Sequence, residues 1–143
     1  VTGVQTCALP IYLRNMAYYN FPLRLLRLVR DAERQGQPVM SIGRAVQRVT
    51  KEIGDWLGIE AGHLAVGKRA DVVVVDPEKL DGSLDEIHEA PVAGFDGLQR
   101  LVRRNDDAVR AVFVRGRLAA ERGKISREVG QDRDFGSVLE ARA

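Results

Sequence analysis

Four consecutive valines, Val72–Val75, constrain what this chain can fold into more than any other feature. They sit in "GKRADVVVVDPEKL", where a Gly67-Lys68 turn precedes the run and Asp76-Pro77 closes it. A β-branched run with such ends reads as a strand. A strand with one wet face alternates apolar and polar residues, whereas four valines in a row do not, so cover is expected on both faces. The other clear strand signal is "AVRAVFVRGRLAAERGKI", residues 108–125, which reads as a hairpin with Arg115-Gly116 as its two-residue turn. A hairpin is marginal alone in water, and two or three short strands cannot enclose the valines. The missing cover is expected from a second copy of the chain or from strands outside it.

Helical spacing dominates the first part of the chain. Residues 20–35 place Leu25, Leu28, Val29 and Ala32 on one stripe, with Leu26 beside it. Asn20 suits the N-cap, Pro22 the first turn, and Gly36 a left-handed stop. Arg24, Arg27, Arg30 and Glu33 fall largely outside the stripe, and "VRDAERQ" and "VQRVTKEIGD" read as solvated helix faces. A second helix runs from the cap candidate Ser41 through Ile42, Ala45, Val46, Val49, Ile53 and Leu57. Gly58 should end it in a Schellman stop, with Ile59 folding back onto Ile53. Gly43 and Gly54 lower its intrinsic propensity, so tertiary packing must hold it. Trp56 reads as core, or as an interface residue. Residues 81–105 look like a loop, with "LQRLVRR" supplying one helical turn, and the polar stretch beyond Ser126 is expected to fray.

Charge and cysteine content exclude some function classes. Lys and Arg total 22 against 20 Asp and Glu, a net charge of +2 without a single-sign block, which argues against nucleic-acid binding. No apolar run approaches the roughly 18 residues of a membrane span. The one cysteine, Cys7, rules out an intramolecular disulfide and fits a reducing, cytoplasmic compartment. It lies in "VTGVQTCALPI", residues 1–11, which resembles the translation of a short-read sequencing adapter. Those residues are set aside as one would a tag. The alternative is a native edge strand that packs Val1, Val4, Leu9 and Ile11.

Gly67-Lys68-Arg69-Ala70-Asp71, a hydrophobic strand and then Asp76-Pro77 resemble the C-terminal signature of the metal-dependent amidohydrolase superfamily. Ala45, Val46 and Thr50, leading to Leu57-Gly58-Ile59, are similar to the helix that precedes this signature, and "VRAVFVRGRLAAERGK" to the closing hairpin. Within that superfamily "RNMAYYNFPLRLLRLVRDAE" resembles the N-acyl-D-amino-acid deacylases (D-aminoacylases). The likeness covers residues 12 to about 124. It implies an α/β parent, a TIM barrel with a small composite β-sandwich built from both chain ends. The present chain would be an α+β fragment of it. Residues 12–58 would be the last barrel helices, 59–125 sandwich strands and a hairpin, and 126–143 a polar tail.

The resemblance also implies zinc in the intact parent, with a bound water made nucleophilic near neutral pH and a carboxylate as base. The ligand set of such enzymes is absent from this sequence. There is no His-x-His, and the only histidines, His63 and His88, stand apart in expected loops, whereas a zinc site needs three or four convergent ligands. No catalytic or metal-binding residue is therefore assigned, and the fragment is expected to be inactive and metal-free. The implied substrate is a small N-acyl amino acid, with no nucleic-acid or membrane partner. Arg14 is the counterpart of the arginine that clamps the substrate carboxylate in such deacylases, since a guanidinium fork fits a carboxylate twice. It reads equally well as a solvent-facing arginine at the start of a helix. Asn15, Tyr18 and Tyr19 could line the same mouth. Asp71 and Asp76 read as turn and cap residues. A cyclic amidase or deaminase of the same superfamily, and a standalone oligomerisation or binding module, are the competing readings.

Overall fold

The computed structural model describes residues 17–91, 95–102 and 105–141. Helices α1 (Ala17–Arg34), α2 (Ile42–Val49) and α3 (Lys51–Leu57) lead into strand β1 (Val72–Val75). Two 3-10 turns, Pro77–Lys79 and Gly82–Asp85, follow, then β2 (His88–Pro91), β3 (Gln99–Val102), β4 (Val109–Val114), β5 (Arg117–Glu121) and β6 (Lys124–Ile125). One antiparallel sheet has the order β1-β4-β5-β6, and β2 pairs with β3 in a separate ribbon. The chain is thus α+β.

The helix ends follow local chemistry. After α1, Gly36 takes φ +72; its N–H bonds the Glu33 carbonyl at 3.0 Å and that of Gln37 the Ala32 carbonyl at 2.9 Å, a Schellman stop. Gly58 and Ile59 repeat this on the Asp55 and Gly54 carbonyls. Ser41 caps α2 by accepting from the Arg44 N–H. Two boundaries differ from expectation. Asn20 does not start α1 but kinks it, with φ −135 and ψ 17, because Pro22 supplies no N–H to the turn before it. The second helix is two helices broken at Thr50, whose φ is −130 and ψ −89. The break is where loop backbone presses in. A Cβ on Gly62 would lie 2.5 Å from the Thr50 carbonyl carbon and oxygen, and one on Gly54 2.5 Å from the Ala61 oxygen. Gly54, costly to a helix by propensity, is what lets this loop close.

The core does not sit where the periodicity places it. Leu80, Leu84 and Ala108 form the buried cluster, with Leu23, Leu26 and Val75 packed against it. It therefore lies between α1 and the turns after β1. Val29 and Ala45 are buried, but Leu28, Ile42, Val46, Ile53 and Leu57 of the expected stripes are exposed. Trp56, expected in the core or at an interface, is 84% exposed. Val72–Val75 form a strand as read, yet Val73 is 56% and Val74 43% exposed, so two-sided cover is not met among the described residues.

The arginines of α1 are engaged by the segment after β1, Arg27 and Arg30 most closely. Arg27 donates to the Asp81 carbonyl at 2.6 Å and pairs with Asp85, and Arg24 pairs with the same carboxylate. Arg30 donates to the Leu80 carbonyl at 2.6 Å and to that of Pro77. Arg34 reaches Glu78. The helix grips the segment after β1 along its length, through carbonyls of Pro77, Leu80 and Asp81.

In the sheet, Arg115 and Gly116 take φ 52 and 78, the positive pair of a type I′ hairpin. Arg122 and Gly123 repeat it between β5 and β6 with φ 45 and 76. The "LQRLVRR" stretch is not helical: Gln99–Val102 is β3, paired with β2 in the register Pro91↔Gln99 to His88↔Val102. Within the segment after Ser126, Phe135 is buried and lies against the Arg117 guanidinium.

Candidate functional site

Of the candidate substrate-contacting residues, Arg14 and Asn15 lie outside the described residues. Tyr18 and Tyr19 fall in the first turn of α1, and nothing of their side chains is described. The described structure shows the support on which they stand. Asn20, the residue at the kink, is 1% exposed and donates through Nδ2 to the Leu84 carbonyl at 2.5 Å. Among the described residues its buried Oδ1 has no hydrogen-bond partner. A buried amide with one end bonded fixes the kink to the core cluster. A lone Asn two residues before a proline was the available sequence signal, and it reads only as a cap.

The histidines do not converge. His63 is exposed in the loop after α3, and His88, expected in a loop, opens β2 with Glu86 3.7 Å away. Among the described residues no group of three His, Cys, Asp or Glu could hold a metal ion, so the donor set here does not fit zinc.

The aspartates bounding β1 are turn and cap residues, as read. Asp71 accepts the Arg115 N–H at 2.8 Å, joining the loop before β1 to the hairpin turn. Asp76 accepts the Glu78 N–H at 3.0 Å and both Nε and Nη2 of Arg110 at 3.2 and 2.5 Å. The Arg110 guanidinium, then that N–H, hold the Asp76 carboxyl below its ordinary value of 3.8. Asp81 is lowered by the Ser83 hydroxyl and N–H, and Asp132 by the Asp134 N–H and Arg117. Such carboxylates are anchors, not bases poised near neutrality. Because their folded values lie below the unfolded ones, the stability they contribute is present above pH 3.8 and lost as pH falls through that value and below. Urea melts are expected to hold constant from about pH 8 to 5 and weaken below about pH 4. Asp76→Asn should flatten that acid decline.

The feature with most functional reach is the edge of β1. This strand pairs only with β4, so among the described residues its other edge has no neighbour. Beside it a cavity of about 460 Å³ opens between α2 and the strand, lined by Val46, Thr50, His63, Leu64, Val72 and Val73 among others. An apolar strand with a free edge and an apolar trough alongside can take up another strand.

No family model matches the sequence, and no solved structure matches it. It is similar to uncharacterized proteins of Mycobacterium bovis and of two Mycobacterium tuberculosis strains, at 51% identity over 123 residues in each case. The match covers 86% of this chain and 20% of each relative, so the chain spans about a fifth of their length. No helix among the described residues is long and apolar enough to cross a membrane.

Proposed function

We propose that this chain is the C-terminal part of a longer, zinc-dependent hydrolase of the amidohydrolase superfamily that cleaves amide C–N bonds of N-acyl-D-amino acids in the cytoplasm. The observation that carries the reading is β1. The signature Gly67 to Pro77 supplies a strand of four valines whose far edge and one flank lie open, as a strand of a composite sandwich would without its neighbours. The much longer mycobacterial relatives leave room for a barrel and for those neighbours.

In this reading residues 12–58 end a TIM barrel and 59–125 belong to the sandwich. Zinc, held by residues outside this chain, would supply a water of lowered pKa and polarise the scissile carbonyl. This chain's own part is binding and support. Arg14 takes the substrate carboxylate in two hydrogen bonds, with Asn15 and Tyr18 beside it. Asn20 and the arginines of α1 hold that helix against the turns after β1, which ties the substrate mouth to the sandwich.

The test compares purified chain with the full-length protein that contains it, each with added zinc and a panel of N-acetyl-D-amino acids. Hydrolysis by the full-length protein alone is expected. Turnover by the 143-residue chain itself would overturn the fragment reading. Full-length protein that opens cyclic amides or deaminates, and leaves N-acyl-D-amino acids intact, would move the assignment to the cyclic amidase or deaminase alternative.

A further inference from the structure

We propose that residues 126–136 form a guard over the free edge of β5, held shut chiefly by the guanidinium of Arg117. Strand β6 covers only the far part of β5, where Ala120 pairs with Ile125 and Glu121 with Lys124. From there the chain turns back along the uncovered part. The Ser126 N–H donates to the Ala119 carbonyl at 2.8 Å. Arg117 then binds Glu128 through Nη2 at 2.8 Å and Asp132 through Nη1 at 2.7 Å, and its guanidinium lies 4.7 Å from the centre of the Phe135 ring. Further on, Arg115 Nη1 is 3.4 and 3.5 Å from the Asp134 and Gly136 carbonyl oxygens.

Three residues of the guard thus converge on one group. Two carboxylates take its two edges and an aromatic ring takes its face, a geometry that a planar guanidinium offers and an ammonium does not. Phe135 is 7% exposed, although its neighbours Asp134 and Ser137 are exposed. Asp132 also accepts the Asp134 N–H at 2.8 Å, so the loop around the guanidinium is internally braced. Contacts that share one anchor open together. Among the described residues the sheet therefore carries its own cover at the β5–β6 end and none at β1, which directs strand addition to the valine edge. This holds whatever chemistry the longer protein performs.

Limited trypsin digestion of the 143-residue chain tests it, because the guard contains two exposed cleavage sites, Arg127 and Arg133. Arg117→Ala is expected to speed cleavage at both by about tenfold, leaving Arg48 in α2 unchanged, with Arg117→Lys intermediate. Phe135→Ala removes the ring from the guard's own side and should give the same selective cleavage. If Arg117→Ala accelerates cleavage everywhere, Phe135→Ala decides: selective opening supports the guard. Unchanged cleavage at Arg127 and Arg133 in Phe135→Ala would overturn it.

Discussion

Val73→Lys is expected to turn a self-associating chain into a monomer. Val73 lies on a strand that, among the described residues, has a partner on one side only and is itself 56% exposed, so lysine there displaces little packing within the chain. Natural edge strands are protected by charge, proline or a bulge, and Val72–Val75 offers no charge or proline. Stacking of such edges is the expected fate of the chain made alone. Sedimentation over a wide concentration range should show wild-type oligomers and a Val73→Lys variant whose association is weakened by about tenfold or more. The same substitution in the full-length protein should have the opposite value. On the proposed reading its neighbours cover the edge there, so a lysine forced between paired apolar strands is expected to destabilise it. A wild-type chain that stays monomeric at every concentration would remove the ground for treating β1 as an unfinished sheet edge.

Leu84→Ala is expected to cost about 2–5 kcal/mol, the range for emptying a buried leucine site. Leu84 is 1% exposed in a core whose other buried members are Leu80 and Ala108. It also presents the carbonyl that Asn20 holds. Few alternative contacts can fill the vacated volume, and a loss of that size is a large part of an ordinary domain's total stability. Urea unfolding followed by far-UV circular dichroism should show the midpoint collapse, whereas Leu28→Ala, at an exposed position of α1, should leave it nearly unchanged. Equal effects at the two positions would place the core elsewhere.

What could be read from the sequence was local. Ser41, Gly36, Gly58 and the Arg115-Gly116 turn act through bonds to residues a few positions away, so each was legible. The acceptors of Arg27 and Arg30, carbonyls after β1, lie about fifty residues further along and leave no trace in a helical period. β3 hid behind leucine and arginine spacing that suits a helix, and only its pairing with β2 makes it a strand. The end of the chain looked unstructured because Phe135 is one aromatic in a polar stretch, and its anchor is a residue of β5. The valine run gave its strand but not its surroundings. Of the candidate substrate contacts, Arg14 and Asn15 stay beyond the described residues, and only their supporting helix is placed.

The two successive type I′ turns at Arg115-Gly116 and Arg122-Gly123 set an order of events. Strands β4, β5 and β6 are joined by the shortest connections a sheet allows, so their pairing has low contact order and can begin on the timescale of about 1–10 µs typical of hairpins. β1 reaches β4 only after residues 76–108 have been drawn into a closed loop, a slower entropic step. The three-stranded meander should therefore form first and wait for the valines, which means the most aggregation-prone segment is the last of the sheet to find its place.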